Sequence, residues 1–102
     1  MKSEGHSRAD EKAELFKILS NNVRLCILTN LCKNGEKRVN ELQQCTNSSQ
    51  SFVSQQLVKL KYMGIISDRK EGTEVYYKLV DKDIEKIIRK TVLGDMSEGE
   101  KE

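Results

Sequence analysis

The sequence predicts a mostly α-helical single domain carrying one small β-hairpin, an α+β fold. Three observations point there. Between Ser48 and Gly64, Val53, Leu57 and Leu60 recur at i, i+4 and i+7, one narrow apolar stripe on an otherwise polar helix. Past Gly64 the apolar period drops to about 2 across residues 65–79, with Glu71-Gly72 dividing two strand-like runs. Asp or Asn or Ser precedes the helical runs and Gly follows several of them, the chemistry of helix starts and stops.

In chain order, residues 1–9 are polar and glycine-containing and are expected to form a disordered leader. Asp10 can cap a first helix to about Ser20, with Ala13, Phe16 and Leu19/Ser20 at helical spacing beside Leu15 and Ile18. That apolar face is wide for a short helix and suits packing on two sides, as in a dimer seam. Asn21 and Asn22 cap a second helix, Val23 to about Lys33, striped by Leu25, Leu28 and Leu31/Cys32 with Ile27 alongside; Asn34-Gly35 ends it. A third, two-turn helix runs from Val39 to about Cys45 with Val39 and Leu42 inward. Thr46-Asn47-Ser48-Ser49 is a turn, and either serine can cap the fourth helix. Two short helices joined by a tight polar turn make a helix-turn-helix pattern. The following hairpin, residues 65–70 and 73–79, is a wing, in which Tyr76 and Tyr77 alternate inward and outward. Asp81 caps a fifth helix to about Leu93 with Ile84, Ile87, Ile88 and Val92 apolar. Gly94 stops it, and residues 94–102 are expected to be an acidic disordered tail.

Composition narrows the function. The chain has 102 residues, 36% hydrophobic and 33% charged, enough for one small core. No apolar run approaches the roughly 18 residues of a membrane span and no signal peptide is visible, so a cytoplasmic protein is expected. The net charge of +2 is unevenly spread. Residues 48–70 set Lys59, Lys61, Arg69 and Lys70 against Asp68, whereas residues 95–102 set Asp95, Glu98, Glu100 and Glu102 against Lys101. The basic excess therefore coincides with the fourth helix and wing. The outer face of that helix carries Ser49, Gln50, Ser51, Ser54 and Gln55, then Lys59 and Lys61. Short donor–acceptor side chains suit base edges and phosphates in a major groove, and lysines neutralise the DNA backbone. Arg69 and Lys70 near the wing tip can reach the minor groove or phosphates. Catalysis needs a positioned acid, base or nucleophile; the single histidine, His6, lies in the leader. An enzyme is not expected.

Three stretches carry a family resemblance: Asn22-Val23-Arg24-Leu25-Cys26-Ile27-Leu28, Ser49-Gln50-Ser51-Phe52-Val53-Ser54-Gln55-Gln56-Leu57, and Arg69-Lys70-Glu71-Gly72-Thr73-Glu74-Val75-Tyr76-Tyr77-Lys78-Leu79. They resemble the ArsR/SmtB family of bacterial winged-helix repressors over roughly residues 10–93. The resemblance implies a winged helix-turn-helix homodimer whose first and fifth helices form the seam. It implies binding to a palindromic double-stranded operator, with Gln50, Ser51, Ser54 and Gln55 in the major groove and Arg69 and Lys70 in support. Many members bind metal through a cysteine-containing segment on the helix before the turn. Here that stretch is Glu36-Lys37-Arg38-Val39-Asn40-Glu41-Leu42, with Arg38 and Asn40 where thiolates stand, and a guanidinium repels a cation. Other members bind zinc between their last helices. Asp81 and Asp83 fall at the first donor pair, but Gly94 and Ser97 fall near the second, an incomplete set for zinc. No cofactor and no metal at either site is expected, and the inducer is left open: thiol oxidation, an organic ligand, or control by abundance.

Cys26, Cys32 and Cys45 are an odd number of thiols without secretory context, so they are not a disulfide framework. Cys26 and Cys32 sit about 120° and about 9 Å apart on one helix and cannot pair within it. Cys45 approaches Cys32 only if the fold brings them together. Small apolar fillers are the plain reading of Cys32 and Cys45, and Cys26, off the main stripe, is the more exposed candidate for redox chemistry. Beside the DNA-binding regulator stands one further alternative, a winged-helix module facing a protein partner. The lysines of residues 48–70 argue against it, because interface cores are depleted in Lys.

Overall fold

Helix α2, Asn22–Asn34, is the element on which the others assemble: it packs against α1 (Glu4–Leu19), α3 (Val39–Gln44), α4 (Gln50–Tyr62), α5 (Lys82–Thr91) and strand β2 (Glu74–Leu79). The computed structural model describes residues 4–94, with side chains from residue 9 onward. Its central role follows from sequence. Asn21 accepts hydrogen bonds from the backbone N–H of Val23 and Arg24, closing the helix start. Ile27, Leu28, Leu31 and Cys32 are buried along one side. Gly35, at φ 84°, then turns the chain through a conformation that a side chain disfavours.

The core is one cluster. Ile27, Leu28, Leu42, Val53, Leu57, Leu60, Ile84 and Ile88 are almost wholly shielded, joined by Ile18, Leu31, Ile65 and Ile66. The expected stripes on the second, third, fourth and fifth helices account for most of it.

Strand β1 (Ile66–Glu71) pairs antiparallel with β2, in register from Ile66↔Leu79 to Glu71↔Glu74. The turn is Gly72-Thr73, with Gly72 at φ 65° and no non-glycine residue at positive φ among the described residues, the signs of a type II′ hairpin. A third, one-residue strand joins at the base, where Lys37 and Tyr77 exchange backbone hydrogen bonds of 3.0 and 2.8 Å. This ties the wing to the segment before α3, a link with no sequence signal.

Two expectations are corrected. The first helix begins at Glu4, not at Asp10, so residues 4–9 belong to α1 rather than to a disordered leader; residues 1–3 and the acidic stretch 95–102 lie outside the described residues. The face of α1 turned to the core is Leu15, Ile18 and Leu19, while Ala13 and Phe16 are exposed. A wide stripe on a surface helix splits this way when only one side has a partner within the chain.

Candidate nucleic-acid interface

The turn before α4 is built from polar side chains. Thr46 Oγ1 donates to the Gln43 carbonyl at 3.0 Å and accepts from the Ser48 N–H at 3.1 Å, and Gln43 Nε2 donates to the Ser48 carbonyl at 3.3 Å. Ser49 Oγ then accepts from the Phe52 N–H at 3.1 Å as the N-cap. These bonds fix where α4 starts and how it leaves α3.

With Val53, Leu57 and Leu60 buried, the opposite face of α4 is set. Gln50, Ser51, Gln55 and Lys59 are exposed and Ser54 is half-buried. Ser49 differs from its neighbours in that its hydroxyl already serves the cap. Two residues were not singled out from sequence. Phe52, 37% exposed, adds an apolar edge beside Ser51 and Gln55, of the kind that meets thymine methyl groups; its position off the Val53/Leu57/Leu60 stripe was the available signal. Gln56, only 5% exposed, faces inward and accepts from Arg24 Nη1 at 3.0 Å. It lies three residues after Val53, on the core side, so spacing could have found it.

The nominated cations divide. Lys61 pairs with Asp68 at 3.0 Å. Arg69 is held by the Glu36 carboxylate through Nε (3.0 and 3.1 Å) and Nη2 (2.9 Å), and by Glu71 at 2.6 Å, and it lies 4.7 Å over the Tyr76 ring. The Arg69 hydrogen bond holds Glu36 below the usual carboxylate range, and Glu36 and Glu71 in turn push the guanidinium up. Arg69 is thus a strut between wing and α3 approach, not a free cation. Lys59 and Lys70 make no ion pair among the described residues. The wing tip itself carries Glu71 and Glu74 beside Lys70.

The metal candidates are occupied otherwise. Asp81 accepts from the Ile84 N–H at 2.9 Å as the cap of α5, and Asp83 lies 3.9 Å from Lys12. Arg38 reaches Glu41 at 3.3 Å and Glu74 at 3.7 Å. Among the described residues no three His, Cys, Asp or Glu side chains form a metal-holding group.

The fold brings Cys45 to Cys26 and not to Cys32. Cys45 lies by Cys26: the Cys26 thiol donates to the Cys45 carbonyl, and both line a groove with Leu25, Thr29 and Val92. Cys32 is buried in the core. Burial, then the contact with Cys45, pushes the Cys26 thiol up to about 12.

A helix-turn-helix with an exposed polar face on its second helix, followed by a two-stranded wing, defines the winged helix-turn-helix class of DNA-binding domains. Residues 21–68 match the family model described as bacterial regulatory protein, arsR family. The chain is 39% identical over 74 residues to the biofilm growth-associated repressor of Xylella fastidiosa, covering 72% of this chain and 64% of that relative's length. The crystal structure of the transcriptional repressor BigR from Xylella fastidiosa superposes with a TM-score of 0.79 at 33% identity, over 91% of this chain and 95% of that one. The solution structure of a homodimeric winged helix-turn-helix DNA-binding domain from Mycobacterium bovis gives 0.73 at 26% identity, over 100% and 94%. The chain belongs to the ArsR family, a family of transcriptional regulators and not of enzymes.

Proposed function

We propose that the chain acts as a homodimer that binds a palindromic double-stranded operator and represses transcription, with α4 in the major groove. The observation that carries this is the division of α4. Its apolar stripe is buried while Gln50, Ser51, Gln55 and Lys59 stand exposed on one face, with Lys70, which makes no ion pair among the described residues, on the neighbouring wing. Gln55 and its neighbours read bases; Lys59 and Lys70 bind phosphates. The dimer seam is formed by α1 and α5, with Phe16 exposed on α1 and Val92 exposed at the C-cap of α5. No helix among the described residues is long and apolar enough to cross a membrane, and the protein works in the cytoplasm, where operator DNA lies. No cofactor is required for this binding.

The test is selection of DNA fragments by reduced protein, followed by titration of the selected site at several salt concentrations. Selective binding that falls steeply with salt, through counterion release, is the expected result. Binding that is indifferent to salt, or no selection at all, overturns the reading in favour of a protein-interaction module. The meeting of Cys26 and Cys45 in one groove favours a second reading, a thiol-responsive regulator; the protonated state of Cys26 works against it, because the thiolate is the reactive form.

A further inference from the structure

A second groove, between α1 and the C-terminal half of α4, takes no part in the base reading proposed above. This open groove has a volume of about 440 Å³, within the range of small-molecule sites. Ile18 is buried at its floor, and Val58, Tyr62 and Met63 form one side while remaining 68%, 91% and 47% exposed. Three exposed apolar side chains lining one concavity give it a largely apolar wall. The rim is basic: Lys17, Arg24 and Lys59 against the single carboxylate of Glu14. Lys17 and Lys59 make no ion pair among the described residues. An apolar floor under unpaired cations complements a molecule with an apolar body and one negative charge.

The groove also touches the machinery that sets α4. Arg24 donates through Nε to the Ile18 carbonyl at 2.9 Å, through Nη2 to the Lys17 carbonyl at 3.5 Å, and through Nη1 to Gln56 at 3.0 Å. One guanidinium therefore straps the last turn of α1 to the buried side of the reading helix. Lys59, on the rim, belongs to the phosphate-facing set.

We propose that this groove is an effector site for a small amphipathic monocarboxylate, aromatic or medium-chain aliphatic, whose binding weakens DNA binding. The effector role rests on the DNA-binding reading of α4; the site itself does not. The carboxylate engages Lys17 and Lys59, withdrawing the Lys59 charge from phosphate, while the apolar body sits on Ile18, Val58 and Met63 against the Arg24 strap. By linkage, ligand and operator lower each other's affinity by the same factor.

Calorimetry on the full chain without DNA, using trans-cinnamate and decanoate as probes and cinnamamide as the neutral analogue, tests the site. Saturable binding of at least one carboxylate, one per chain, is expected, with cinnamamide at least about tenfold weaker. Val58→Asp abolishes that binding and Lys17→Gln weakens it several-fold, both with unchanged circular dichroism and melting. Absence of binding by both carboxylates, equal binding of cinnamamide, or full binding by Val58→Asp overturns the proposal. So does conversion of a dimer to a monomer by Val58→Asp in sedimentation, which would make a second copy the occupant. Operator titrations with and without the bound probe separate the two claims. Normal operator binding with no carboxylate uptake sinks the site alone, and carboxylate uptake without selective DNA binding sinks the DNA reading alone. Uptake that leaves operator affinity unchanged overturns the effector role.

Discussion

Arg69 shows how far a residue's role depends on what the fold puts beside it. From sequence it was a wing cation for DNA; in the structure it pairs with Glu36 and Glu71 and lies over Tyr76 while its side chain stays 49% exposed. Glu36 lies 33 positions away in the chain, so nothing local announced the pair. Because Arg69 holds Glu36 below its ordinary value, the pair contributes stability above the ordinary carboxylate range. That contribution is lost as pH falls through the lowered folded value. Glu41 follows the same sign, held down first by the Arg38 backbone N–H. Melting temperatures measured from pH 7 down to pH 3 are expected to fall mainly below about pH 4.5, where ordinary carboxylates protonate. Glu36→Gln should flatten part of that slope; an unchanged slope would remove the pair from the account. Cys26 gives a second residue-scale expectation. With its thiol pushed up to about 12, iodoacetamide should modify it slowly at pH 8, and the rate should still be rising at pH 10. A half-maximal rate near the ordinary thiol value of 9.0 would mean an ordinary, reactive thiol and would revive the redox reading.

At the scale of elements, α4 was the most legible part of the chain. Its stripe of Val53, Leu57 and Leu60 has to be buried, and burying it turns Gln50, Ser51 and Gln55 outward whatever else the fold does. Its separate roles can be measured. Gln55→Ala should change base preference at one operator position by about 1–3 kcal/mol, whereas Lys70→Ala should weaken binding evenly across sequences and reduce the salt slope by about 1. Competition titrations on specific and random fragments distinguish the two, and an equal loss on both for Gln55→Ala would disqualify it as a base reader. In the turn between α3 and α4 the Thr46 hydroxyl donates to the Gln43 carbonyl and accepts from the Ser48 N–H, while Ser48 takes part through its backbone. The start of α1 was misread because Asp10 looks like a cap, yet the helix continues upstream of it to Glu4. A capping residue type permits a helix start there without requiring one.

For the whole molecule, the chain buries one core and leaves Phe16 on α1 and Val92 at the C-cap of α5 facing outward, 59% and 48% exposed. These are the residues that a seam between two copies would cover. Phe16→Glu should shift sedimentation from dimer to monomer and reduce operator affinity at least about tenfold, since each half-site alone makes only half the contacts. A variant that remains dimeric would move the seam elsewhere. The order of elements, most of the core stripes, the cap at Asp81 and the outward polar face of α4 were legible in sequence alone, and Asn21 and Ser49 were each one of two adjacent cap candidates. Each rests on periodicity or on hydrogen bonds between residues a few positions apart. Tertiary structure alone decided that Arg69 is a strut, that Gln56 is strapped by Arg24, that Cys26 meets Cys45, and that Lys37 joins the wing. Each of these depends on long-range proximity, which neither composition nor spacing encodes.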